Sequence, residues 1–247
     1  ASGAISGVTT LTLSDVGGTA TLSGDVDVTT LTVGNTVANV AFTGNGSSVA
    51  DAVAFANDGT LTLGTSGGTQ TYNGGLTTSS VAGTVTLNGT IATSNDAVVL
   101  GAVTLGSATT VDTNASSDAG DITVAAITGG SNNLTLSTGD NITGADITAS
   151  GAISGVTTLT LSDVGGTATL SGDVDVTTLT VGNTVANVAF TGNGSTVASS
   201  FTPDNDGTFI FGASGGTQTY NGGLNTASVD GTVTLNGTVA SSDDAVV

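Results

Sequence analysis

The sequence predicts an all-β fold, a parallel β-helix or solenoid with about 21 residues per coil. Three observations lead there. Val, Ile, Leu and Thr alternate in short runs, which is the pattern of a half-buried strand. Glu, Lys, Arg and Met are absent while Gly and β-branched residues abound, so helix is disfavoured throughout. The chain also repeats itself: residues 149–247 return residues 1–99 at a fixed offset of 148, and only 17 of the 99 aligned pairs differ. An apolar content of 37% argues against the disorder that so much Gly, Ser, Thr, Asn and Asp would otherwise suggest.

Residues 1–148 therefore form one full unit, and 149–247 a partial second copy continuous with it. Within the unit, strand cores are expected at Leu11-Thr12-Leu13, Leu31-Thr32-Val33, Leu61-Thr62-Leu63, Val85-Thr86-Leu87, Val103-Thr104-Leu105, Ile122-Thr123-Val124 and Leu134-Thr135-Leu136. Most neighbours in that series are spaced by roughly one such coil, which suggests about seven coils per unit. Side chains alternate along a strand, so the two aliphatic residues of each core face inward and the Thr faces out. Stacked coils would pair their backbones about 4.8 Å apart. Burial of four or five aliphatic side chains per coil, at about 1.5–3 kcal/mol each, opposes the ordering entropy. One coil alone cannot do this, so stacking is what stabilises the fold.

The turns agree. Gly17-Gly18, Asn45-Gly46, Gly67-Gly68, Asn73-Gly74-Gly75, Asn88-Gly89 and Gly129-Gly130 separate the strands, and such residues supply the positive φ that tight corners need. The sole proline, Pro203, lies where the copies differ (51–56 against 199–204) and is expected in a loop bulging from the stack. A tandem β-sandwich would need longer strands and a larger aromatic core than six Phe and two Tyr provide.

Composition limits the chemistry. Without His, Cys or Lys, the usual general bases, thiol nucleophiles and Schiff-base amines are missing, as are imidazole or thiolate zinc ligands. The expectation is no enzymatic activity, no catalytic residue and no cofactor. A net charge of −19 without one basic residue argues against nucleic acid, and no run approaches the ~18 apolar residues of a spanning helix. Trypsin has no cleavage site in such a chain.

The runs Gly68-Thr69-Gln70-Thr71-Tyr72-Asn73-Gly74-Gly75-Leu76 and Gly83-Thr84-Val85-Thr86-Leu87-Asn88-Gly89 resemble the repeat region of filamentous-haemagglutinin-type giant surface proteins of bacteria. The first run returns at Gly216 to Leu224. The resemblance implies a right-handed parallel β-helix, export to the cell surface, and a role in adhesion, matrix or filament formation.

Few residues invite a site. Asp25 and Asp27, repeated as Asp173 and Asp175, could offer oxygen ligands to Ca²⁺. The plainer reading is a solvated turn beside Gly24, with diffuse Ca²⁺ neutralisation of the Asp side chains. The pairs Thr10/Thr12, Thr19/Thr21, Thr30/Thr32, Thr60/Thr62 and Thr84/Thr86 could build a hydroxyl array for ice or glycans, or simply reflect β-propensity. Asn45, Asn88, Asn114, Asn133 and Asn141 head glycosylation sequons that chance explains in so Asn- and Thr-rich a chain. Phe209-Ile210-Phe211 could be core or an exposed patch for lateral contact, and core is the plainer reading.

The expected function is a structural repeat segment of an extracellular bacterial filament or giant cell-surface protein, giving a long, rigid fibre whose partners are other copies, by β-stacking or lateral contact, or host or neighbouring cell surfaces. The alternatives are an adhesin stalk that presents a binding domain lying elsewhere, and an ice- or glycan-binding solenoid.

Overall fold

The computed structural model describes residues 1–113, 120–139, 144–242 and 244–247. Among them there is no helix, and the strands stack in parallel as a β-solenoid of about 11 turns, with coils of about 21 residues. Pairs such as Val8↔Val28 and Val40↔Leu61 show the two commonest steps from one coil to the next, which differ by one residue. The step is shorter at Val85↔Val103 and longer at Ile127↔Ile153.

Three parallel ladders climb the stack. The first begins with Ile5 on Val26 and is carried upward by Gln70, Ile91, Val111, Leu136, Leu161 and Val181. The second begins with Leu11 on Leu31 and continues through Val53, Leu76, Val98, Ile122, Ile147, Ala168, Val188, Phe209 and Val233. The third runs Ala20, Val40, Leu61, Val85, Val103, Ile127, Ile153 and Val174. Their aliphatic members merge into one continuous buried core. The alternation expected from sequence is plain in Val26–Val33 and Val174–Val181, whose buried and outward positions follow the same order in both copies.

The strands that span corners show how the sequence shapes the coil. Ile153–Leu170 runs for 18 residues and contributes to all three ladders, bending where its register shifts between Ser154 and Val156. The same shift occurs between Ile5 and Val8 in the first copy. In both, the extra residue is a glycine at positive φ, Gly7 and Gly155, as a bulge of this kind favours.

The glycine pairs do more than supply positive φ. Gly67, Gly75, Gly89 and Gly130 take that conformation, their partners Gly68, Gly74 and Gly129 do not, and neither residue of Gly17-Gly18 or Asn45-Gly46 does; near the first pair it is Asp15 that takes positive φ. At Gly74 and Gly129 a Cβ would lie 2.4–2.5 Å from backbone of the adjacent coil, so these glycines are there for close approach.

Pro203 does not sit in a bulging loop. It is buried within the stack, and the neighbouring backbone stays paired: Phe201 N–H bonds to Gly223 O and Asp204 N–H to Val181 O. At the same place in the first copy the Phe55 N–H donates to Thr77 O, so proline gives up one ladder bond while those of Phe201 and Asp204 on either side hold the coil in place. The variable segment is a core exchange. Val53 and Phe55 give way to Phe201 and Pro203, and Leu61 and Leu63 to Phe209 and Phe211. All eight are buried. In the second copy Phe201 stacks on Tyr220 at 5.8 Å, and Phe209 lies against Phe211 at 4.0 Å. Phe209-Ile210-Phe211 is thus core on its two aromatic positions, with Ile210 half-exposed.

Candidate interaction surface

Outward side chains stack as regularly as inward ones. On the first ladder Thr69, Thr90, Thr110, Thr135, Thr160 and Thr180 occupy successive coils in strict register, giving six threonine rungs. On the third, Thr62, Thr86, Thr104 and Thr128 do the same, and Ser154 and Asp175 follow. The paired Thr-x-Thr positions are brought together only locally. Thr10 and Thr12 stack on Thr30 and Thr32, but Val33 then pairs with Phe55, which puts Ala54 next above Thr32. The hydroxyl surface is therefore mostly of single columns, with double columns only in short stretches.

Asp25 and Asp27 are brought near one another, yet each is engaged. Asp25 Oδ1 accepts the Gly46 N–H at 2.8 Å and Asp27 Oδ1 the Ser48 N–H at 3.2 Å. The second copy reproduces both, Asp173 with Gly194 at 2.7 Å and Asp175 with Thr196 at 3.0 Å. The same device recurs elsewhere. Asn39 and Asn187 accept from the Thr60 and Thr208 N–H groups, Asp121 from Asp146 N–H, and Asp146 from Thr167 N–H. In every case the partner lies one coil above. These acceptors lie at or near the start of strands, where a side chain supplements the backbone ladder by accepting an N–H of the coil above. No cluster of three or more acidic groups able to hold a metal ion occurs among the described residues.

A groove of about 470 Å³ opens beside the first bulge, lined by Gly7, Thr9, Asp27 and Ser48 among others. Its counterpart beside Gly155 has about 250 Å³ and is lined by Thr157, Asp175 and Thr196. Both are open and shallow.

Of the sequon residues, Asn45 and Asn133 are exposed. Asn88 is half-buried, with Nδ2 donating to Leu63 O at 3.3 Å. Asn114 and Asn141 lie outside the described residues.

Sequence reasoning missed the polar groups inside. Gln70 is fully buried and donates from Nε2 to Phe42 O (2.8 Å) and Gly44 O (3.2 Å), while its Oε1 accepts the Tyr72 hydroxyl (3.0 Å). Gln218 and Tyr220 repeat the arrangement with Phe190 O and Gly192 O. Burial pushes both phenols well above their ordinary range. The one available signal was that Gln-Thr-Tyr returns unchanged within the run 66–76, between the diverged stretches on either side.

No protein-family model, no curated protein and no solved structure matches this chain. The fold supports a β-helix repeat protein, and the haemagglutinin-type resemblance rests on the sequence phrases alone.

Proposed function

We propose that this chain is a stretch of an extracellular structural solenoid: a stiff, chemically inert rod segment of a bacterial filament or giant surface protein, without catalytic residues or a cofactor. One observation carries the reading. The ladders pass through the boundary between the copies without a break, for Ile127 pairs with Ile153 and Leu134 with Leu159 across residues 148 and 149. Two copies that share one core and one set of ladders behave as a single rigid body, as a spacer requires. The absence of Lys and Arg adds resistance to trypsin-like proteases, which suits an exposed location.

The test is small-angle scattering of the 247-residue chain. About 11 coils at about 4.8 Å give a rod about 53 Å long. A rod profile of that length supports the reading, and two beads joined by a flexible link overturn it. An adhesin stalk would pass the same test. Binding of the isolated chain to glycans or ice would instead favour a recognition role for its hydroxyl columns.

A further inference from the structure

The two copies are alike in sequence but do not occupy the same side of the solenoid. Val40 and Leu61 belong to the third ladder, whereas their equivalents Val188 and Phe209 belong to the second. Leu11 belongs to the second, and its equivalent Leu159 stacks on Leu134 in the first. Ile5 belongs to the first, and Ile153 to the third. Each strand has moved back by one ladder.

The ladder steps give the phase. From Val40 the third ladder climbs six coils to Val174, through Leu61, Val85, Val103, Ile127 and Ile153. Val188 then lies beyond Val174 by about two-thirds of a coil of about 21 residues. One sequence unit therefore winds through about 6⅔ coils, not seven. We infer that an array continuing this period is a three-fold screw, in which three units complete about 20 coils and each unit shows its surface on the next side of the rod. The inference deepens the structural reading, since it describes the rod that reading supposes.

The threonine rungs show what the screw does. Of the six on the first ladder, Thr69 to Thr135 come from the first copy and Thr160 and Thr180 from the second. The first-copy equivalents of those last two, Thr12 and Thr32, stack on the second ladder instead. Thr217 and Thr238, the equivalents of Thr69 and Thr90, stack on the third. The screw thus joins the late threonines of one unit to the early ones of the next, and each junction of units builds one six-rung hydroxyl column. Successive columns fall on successive sides, so the rod has no unique face. A neighbour or ligand that reads the column meets it from three directions.

The experiment is electron microscopy with helical reconstruction of a chain carrying three full copies of the unit, beside disulfide trapping in the 247-residue chain. The screw requires a rise of about 32 Å per unit, from the ~4.8 Å coil spacing, and a rotation near one-third of a turn. A straight rod with unrotated units and a rise of about 34 Å, seven whole coils at the same spacing, overturns the screw and leaves the rod reading intact. Compact or beaded particles overturn both. In the shorter chain, Thr135→Cys with Thr160→Cys joins adjacent rungs across the copy boundary, within disulfide reach. Closure under mild oxidation is the expected result, and failure to close in a chain that keeps its β-sheet spectrum overturns the register.

Discussion

At the residue scale, the buried glutamines carry more than their number suggests. Gln218 satisfies two carbonyls and one hydroxyl in a site closed to water. Gln218→Leu keeps the approximate volume but strands the Gly192 carbonyl and the Tyr220 hydroxyl, while Phe190 O keeps the Gly212 N–H, at about 1–3 kcal/mol for each buried group left unpaired. A clearly lowered urea midpoint is expected, and an unchanged one would deny the network its role. The tyrosines give a pH prediction. Burial favours the neutral phenol, so the folded-state pKa of Tyr72 and Tyr220 stands above the ordinary 10.0. The stabilisation is complete below the unfolded pKa and declines as pH rises above it. Phenolate absorbance should therefore appear together with loss of the β-sheet spectrum in an alkaline titration. Ionisation of either tyrosine in the intact fold, near its ordinary value, would contradict that burial. The same scale shows where sequence was silent. Outward threonine is what β-propensity suggests, yet Thr93, Thr113 and Thr138 are buried. Their hydroxyls bond to Asp96 O, Gly120 O and Ala145 O, holding corners closed. Nothing in a Thr-rich sequence marks those three from the rest.

At the element scale, strand positions were legible and ladder membership was not. Every Leu-Thr-Leu-like core named from the sequence is a strand with both aliphatic ends turned toward the interior, because period-2 alternation depends only on neighbours in the chain. Ladder membership depends on coil length, which corners set. Ile122 follows Val103 at close to one coil length, but it stacks on Val98, earlier in the same strand. The similar phrasing of strands on all three sides concealed that jump, and with it the difference between seven coils and 6⅔. The corners themselves yield a prediction. A Cβ on Gly172 would stand 2.2 Å from the backbone of Gly151 in the coil below, with no flexible side chain able to yield. Gly172→Ala should cost about 1–3 kcal/mol or more through forced separation of the coils. Gly17→Ala meets no atom within 4 Å and has no positive φ, so it should fall within about 0.5 kcal/mol of the parent. Equal midpoints for the two variants in urea would refute close packing as the reason for glycine at that corner.

At the scale of the whole molecule, charge is the term that no local packing offsets. All 19 formal charges are negative, and no side chain can pair with them. Stacking at about 4.8 Å brings carboxylates of neighbouring coils well inside the ~10 Å screening length of 0.1 M salt. Self-repulsion should therefore make the rod more stable as ionic strength rises from a few millimolar. The identity of the cation decides between diffuse neutralisation and a formed site. Asp25 and Asp27 each commit one carboxylate oxygen to a backbone N–H of the coil above, and their copies do likewise. What they have left falls short of the six to eight oxygens Ca²⁺ takes. Ca²⁺ and Mg²⁺ should thus raise the melting temperature equally at matched ionic strength, and without saturation at a fixed stoichiometry. A saturable increase specific to Ca²⁺, lost in Asp27→Asn, would instead identify a calcium site at the corner those residues close.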